Sequence, residues 1–559
     1  MLKTRIITII YILSAVVLTV LAESRVYLLH SDRLYFDSSV NREAQFLVGN
    51  VQFRHDDVLM WCDSALYYEA SNSFDAFGNV RMTQGDTLSL TGDELYYNGL
   101  EKLAKVRYNV VLKHRDMTLY TDSLDYDRLY NVGYFFEGGH LVDKDNDLVS
   151  DWGEYHPDKR DAIFNYNVKM VTPAPPKAPK TILLTDTLHY DTRTAIGHAL
   201  GPSTIDDGST HVYTESGYLN TRNDNMILLE RSELNDSGKK LVGDSINWNS
   251  TDSIGEAFGN VVYTDVINQN MMTGNYVYYE NKTGYSMGTD SLCLIDFSQG
   301  KDTMYLHADT LKMYTRNINT DSVWRDLHAY HRVRMYRNDL QGVCDSLVYH
   351  GRDSVAIMYR DPIVWMGSQQ MLGEEIRAFM NDSTIDSVQV LRQTLSCEKI
   401  DEDNHFNQIA GHEIHSYLRD GEVYLTHVIG NVYVKYYPLD DDRLMIGLNH
   451  TESTELKMYM GEDRKLERMW MPAATGTLFP ILKIPESQRF LENFQWFDYI
   501  RPLDRYDIYV WRGKRSGTEL IEKKQRKVPL QKLENIQTKK NGNVQGTRAP
   551  QVSQGEHIH

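Results

Sequence analysis

Three groups of residues in this chain have the types and spacing that chemistry asks for. His412-Glu413-Ile414-His415 has the composition of a zinc-protease motif. That motif sets its histidines four residues apart, so that both fall on one helical face. Here they are three apart among residues of strand character, and the run reads as part of a strand. Asp143, Asp145, Asp147, Asp151 and Glu154 follow the 1, 3, 5, 9, 12 spacing of a calcium loop. The sixth position of such a loop is glycine for its sharp turn, whereas here it is Leu148; a solvated turn leading into a strand fits better. Cys62, Cys293, Cys344 and Cys397 lie far apart in an extended repeat. Bridged Cα atoms must approach within about 7 Å, so these residues are expected to remain thiols. No nucleophile elbow, phosphate-cradling glycine loop or Cys-x-x-Cys pair occurs, and no catalytic residue, cofactor or metal is assigned. Paired carboxylates across a sheet would leave no such signature.

The remaining chemistry is apolar. A row of bulky side chains recurs through the chain: Leu34, Phe36, Leu66, Tyr68, Leu95, Tyr97, Leu124, Tyr126, Leu188, Tyr190, Ile246, Trp248, Leu311, Met313, Leu347 and Tyr349. If the surfaces that carry the row close on each other, it is a core, and the residues alone favour that. If they splay, it is a groove. At about 0.8 kcal/mol per buried methylene, a groove of this kind offers a 14-carbon acyl chain about 10 kcal/mol of shelter.

These residues are positioned by a repeat. A phrase of small residue, Asp, polar, Leu, any, Tyr returns about every 30 residues, as at Gly92-Asp93-Glu94-Leu95-Tyr96-Tyr97 and Thr121-Asp122-Ser123-Leu124-Asp125-Tyr126. An answering Gly-Asn-Val follows at Gly49, Gly78, Gly259 and Gly430. Val, Ile, Thr, Leu and 37 tyrosines against 14 prolines make this strand composition. Leu88 and Leu90 share one face, but after Asp93 the apolar pair is Leu95 and Tyr97, which have switched parity. A switch of parity in a structure of period two means a bulge or corner, so each strand is expected to bend there and serve two sheets. Asp93 and Asp122 are expected to cap backbone N–H groups at that corner, and Asp127 to sit in an unimportant turn. Short polar turns predict an all-β fold, an elongated antiparallel array of bent strands in jellyroll form; a parallel β-helix is the alternative.

The formal charge is −18, but residues 512–559 carry 11 basic against 4 acidic side chains and the first 22 residues add two basic ones, leaving −27 on the body between. A body so acidic excludes nucleic acid as a partner. Residues 1–22 read as an export signal, with Lys3 and Arg5 before an apolar run from Ile6 to Leu21 and cleavage after Ala22. The run is at the short limit for a retained anchor. Pro173 to Pro179 contains four prolines and predicts a junction, dividing the repeat into arrays over 25–172 and 181–470. Residues 471–511, with Phe479, Phe490, Phe494, Trp496, Phe497, Tyr499 and Trp511, predict an aromatic cap over the last repeat. Residues 512–559 predict a basic disordered tail.

The small-Asp-x-Leu-x-Tyr phrase answered by Ala-x-Gly-Asn-Val, as in Asp63 to Tyr68 and then Ala76-Phe77-Gly78-Asn79-Val80, resembles the OstA-like family, which includes LptA, LptC and the periplasmic domain of LptD. The resemblance spans about residues 25–435 and is strongest over 30–170. It implies an open β-jellyroll, non-enzymatic, whose interior row carries lipid A acyl chains of lipopolysaccharide, or a related lipid, across the periplasm towards the outer membrane. It also implies partners, other OstA-like transport proteins at the inner and outer membranes, reached by end-to-end strand stacking. The array is two to three times the length of one family jellyroll, its tail is too short for the LptD barrel, and its acidity directs any grip to acyl chains and away from phosphates. The competing function is a structural or surface-exposed β-repeat protein, an adhesin or glycan binder, with a sealed core.

Overall fold

The computed structural model describes residues 24–172, 180–298, 303–318, 320, 322–381, 384–440, 442, 444–461, 466–516 and 518. The export signal, the proline run and nearly all of the basic tail lie outside them. The chain divides into two compact units, 1–298 and 299–559. The strand ladders are antiparallel, which rejects the β-helix.

In the N-terminal unit each long strand is broken once by a register shift, as between Trp61 and Ser64, Thr91 and Glu94, and Arg107 and Val110. Strand Leu88–Asn98 shows the consequence. Leu88, Leu90 and Gly92 face inward before the shift, and Leu95 and Tyr97 face inward after it. The halves before and after the corner build two leaves, here A and B, that share one interior. A continuous apolar cluster fills it, from Val26 and Leu47 through Leu124 and Leu188 to Ile246 and Val277.

The two recurring phrases form one structural object, the corner. Gly78 and Asn79 adopt φ of 77° and 47°, a left-handed pair that Gly and Asn tolerate best. A Cβ on Gly78 would stand 2.6 Å from Asp63 Oδ2, and Asn79 Nδ2 donates to that oxygen at 2.7 Å. The same bond joins Asn50 to Asp32, Asn109 to Asp93, Asn167 to Asp151 and Asn260 to Asp244 at 2.6–2.9 Å. Asp93 is therefore held by a side-chain amide of the next strand and not by the backbone N–H groups anticipated for it, whereas Asp122 accepts from the backbone N–H of Asn109 at 3.4 Å, as anticipated. Asp127, expected to matter little, accepts from the N–H groups of Leu129 and Tyr130 and fixes its turn. Gly78→Ala should cost at least about 2 kcal/mol in a thermal melt, from the left-handed φ and the clash together. Adding Asp63→Ala should return about 1 kcal/mol of it, and strict additivity of the two changes would refute the corner.

Three further expectations change. Strands Asp161–Thr172 and Thr181–Asp191 pair through Thr172 and Thr181, so the repeat runs on past the proline segment and the chain divides at 298/299 instead. In strand Val58–Tyr68 the inward set is Val58, Met60, Cys62, Ala65 and Tyr67, so Leu66 and Tyr68 face outward. Nearly every residue there is apolar, and alternation gives no phase. Finally, the aromatic segment does not cap the last repeat. Thr475–Pro480 is itself a strand beside Gly447–Met460, and the rest crosses the outer surface of a leaf.

That crossing distinguishes the C-terminal unit. Gly342 and Gly411 face its interior, against Met358 and Val428, so Gln341, Val343, Gln408 and Ala410 face out. On this outer surface of leaf A, Val343, Ile363, Trp365, Leu372, Leu395, Cys397 and Ala410 are buried under Leu491, Phe497 and Ile500. Gln408 donates to Arg489 O at 2.9 Å and accepts from Leu491 N at 2.8 Å. Gln370 does the same with Gln495 O and Phe497 N. Each carboxamide thus imitates a peptide group and satisfies backbone of the crossing segment, a strap that includes residues 489–500, that burial would otherwise leave unpaired.

Candidate functional site

The interior of the N-terminal unit has a spine of corners on one side and a mouth on the other, where the hairpin turns of the two leaves approach. Across most of the unit polar clasps shut this mouth. Tyr97 Oη accepts from Arg128 Nη1 at 2.6 Å and lies 2.6 Å from His55 Nδ1. His55 Nε2 lies 3.2 Å from Ser24 O, so the neutral ring with its proton on Nε2 satisfies both contacts. Lys102 pairs with Asp56 at 2.8 Å, and Arg128 with Asp57 at 3.1 Å. Further on, His114 Nδ1 meets Tyr155 Oη at 2.8 Å, Asn146 donates to Tyr190 Oη at 2.7 Å, and Arg222 pairs with Asp145 at 2.8 Å.

Burial lowers the pKa of both His55 and His114; Arg128 and Lys102 push His55 the same way against Asp56, and Arg115 and Arg160 push His114 against Asp158. The unfolded chain binds these protons more readily than the folded one. Stability from the neutral rings is therefore present above the ordinary histidine range, near pH 6.5, and is lost as pH falls below it. Melting of this unit should drop between about pH 6.5 and 5, and a His55→Gln, His114→Gln double variant should flatten that drop. An unchanged pH profile in the double variant would count against the clasps.

Past the last clasp the interior opens. The inward position nearest the mouth on leaf B is 2% exposed at Tyr97, 0% at Tyr126, 1% at Tyr155 and 0% at Tyr190. In the later strands Met226 and Trp248 are half-buried, and Tyr279 is 40% exposed. On leaf A the matching residues Leu234, Leu241, Tyr263 and Met272 are also half-buried. Near the spine Leu228, Ile246, Ala257 and Val277 stay buried. The result is a trough with an apolar floor and walls, open along one side.

The sixteen residues of the expected row therefore fall into five sets. Leu95, Tyr97, Leu124, Tyr126, Leu188 and Tyr190 are inward and sealed. Leu66 and Tyr68 are outside. Leu34 and Phe36 are 53% and 58% exposed at the N-terminal sheet edge, where Arg33–Tyr35 pairs with Gln45–His55 alone among the described residues. Ile246 and half-buried Trp248 belong to the trough, and in the C-terminal unit Leu311 and Leu347 are buried while Met313 and Tyr349 are half-buried. Met226, Leu234, Leu241, Tyr263, Met272 and Tyr279 escaped the sequence reading. The offset of four from the corner Asp that marks Trp248 extends to Tyr279 only by pairing, through Gly255.

The other chemical candidates resolve plainly. His412 to His415 lie in strand Phe406–Arg419, where Glu413 and His415 pair at 3.0 Å. Asp143 accepts from the N–H groups of Asp145 and Asn146 in a turn before strand Asp147–Ser150. Cys62, Cys344 and Cys397 are buried thiols. Among the described residues no helix is long and apolar enough to cross a membrane.

Bent antiparallel strands in two leaves around one apolar interior define a β-jellyroll protein. Residues 23–175 match the family described as OstA-like protein. A solved structure, that of LptH from Pseudomonas aeruginosa, titled the LptA homologous periplasmic component of the lipopolysaccharide transport device, is similar at 14% identity. It covers 25% of this chain and 95% of that one, with a TM-score of 0.20, which is too low to argue from. No curated protein matches the chain.

Proposed function

We propose that this protein is a non-enzymatic periplasmic carrier, exported by its leader, that shelters the acyl chains of lipopolysaccharide or a related lipid on the way to the outer membrane. The observation that carries this reading is the graded opening of the mouth, from sealed at Tyr190 to 40% exposed at Tyr279. A purely structural core gains nothing by leaving Met226, Trp248, Met272 and Tyr279 wet, because each methylene left in water forgoes about 0.8 kcal/mol. The sealed stretch over 45–190 serves as scaffold, and the acyl site is the trough of strands from Asn225 to Glu280.

The sheet edges supply the partner surfaces. Strands Leu466–Trp470 and Thr475–Pro480 pair with Gly447–Met460 alone among the described residues, leaving Met469 and Leu478 exposed. With Leu34 and Phe36 at the other edge, they suit strand addition by further OstA-like proteins. Photocrosslinkers at Trp248, Met272 and Tyr279 should capture lipopolysaccharide in intact cells, and one at Leu124 should not. Organic extraction of the purified protein should release acyl chains. No crosslink from the trough and no extractable lipid would reject the carrier reading in favour of a sealed structural protein.

A further inference from the structure

A cavity of about 430 Å³ lies mainly on the outer surface of leaf B, within the size range of small-ligand sites. Its floor and rim are set by strand pairing. Tyr218 stands opposite Ile227, Ile227 opposite Asn247, and Asn247 opposite Glu256, one outward row across four strands. The neighbouring row places Asn220 opposite Asn225. Two side chains apiece on adjacent positions make a grid, apolar at Tyr218 and Ile227 and amide-rich around them.

The polar groups are only partly spent. Asn220 and Asn225 use their carbonyl oxygens to accept from Arg222 N and Ser250 N, which leaves their NH₂ groups as donors. Asn247 makes no side-chain hydrogen bond among the described residues and offers both a donor and an acceptor. Glu256 receives Tyr276 Oη at 2.7 Å on one oxygen and keeps the other. Tyr218 is stacked on His198 with ring centroids 4.0 Å apart and an interplanar angle of 12°, so its opposite face is presented rigidly. No Lys or Arg lines the cavity, and its one charge is negative.

We infer that this cavity is a saccharide-binding site for an uncharged or amino sugar. A flat aromatic face beside an isoleucine suits the C–H face of a pyranose. Carboxamides that can each donate and accept match hydroxyl groups, which do the same. The missing cations and the Glu256 carboxylate exclude a phosphorylated or otherwise anionic ligand. Met226 and Trp248 border this cavity and also belong to the trough, so one glycolipid can reach both. That last step rests on the lipid reading; the saccharide site does not.

The test uses the full chain, with N,N′-diacetylchitobiose and maltose as probes and glucosamine 6-phosphate as the anionic comparison. Saturation-transfer NMR and calorimetry should detect at least one disaccharide, and the phosphosugar should bind at least tenfold more weakly. Tyr218→Ala and Asn247→Ala, both at outward and partly exposed positions, should each weaken the disaccharide at least tenfold. Tyr279→Glu should leave saccharide binding unchanged while abolishing lipid capture, so that each reading fails separately. Absence of binding by both disaccharides, equal binding by the Tyr218 and Asn247 variants, tighter binding of the phosphosugar, or preference for an asparagine-containing tripeptide would each overturn the assignment.

Discussion

Leu124→Glu will lower the melting temperature of the N-terminal unit by about 10 °C or more, while Tyr279→Glu will leave it within about 2 °C of the parent. Both residues face the same interior on leaf B, but Leu124 is fully buried and Tyr279 is 40% exposed. A carboxylate at Leu124 meets Val106 and Phe135 across the ladders and has no route to water, so it loses its hydration at a cost of several kcal/mol. At Tyr279 the same group reaches solvent through the open mouth. Function should show the opposite order: Tyr279→Glu abolishes lipid capture because it sets a charge against the acyl chains. Calorimetry together with crosslinking from Trp248 reads both effects. Equal melting shifts for the two variants would mean that the trough is no more open than the clasped stretch.

Removal of residues 486–559 will destabilise the C-terminal unit more than any single change in it. The strap covers Val343, Ile363, Trp365, Leu372, Leu395, Cys397 and Ala410, an apolar surface too large to leave in water without association or unfolding. Smaller cuts grade the effect. Phe497→Ala leaves a cavity against the leaf and should cost about 3–5 kcal/mol. Gln408→Leu should cost about 2 kcal/mol, since Arg489 O and Leu491 N lose their buried partner. Hydrogen exchange over 340–415 is the measurement, because amides of leaf A should lose protection in the order truncation, Phe497→Ala, Gln408→Leu. Unchanged protection in the truncated chain would show that the strap is an ornament of the leaf.

The sequence alone determined the local rules of this protein. The switch of apolar parity at Asp93 located a corner, because side chains on a strand alternate and an odd insertion must change face. Gly78-Asn79 marked the left-handed pair that answers it, because few other residues take that conformation cheaply. Turn spacing and strand composition gave antiparallel β structure, and the corner phrase in series gave the OstA-like resemblance that the match over 23–175 supports. In strand Val58–Tyr68 even the phase was illegible, since both faces are apolar.

Only the tertiary structure decided where the interior is sealed. Leu124, Trp248 and Tyr279 belong to one pattern, and what separates them is whether polar groups from distant turns, such as His55 with Tyr97 or Asn146 with Tyr190, meet across the mouth. Those pairs lie 42 and 44 residues apart. Tertiary packing likewise sent the aromatic segment across leaf A. Its seat is built by Gln341, Gln370 and Gln408, which share an outward face on different strands. In sequence each is a lone polar residue; they act together because strands far apart in the chain were brought into register.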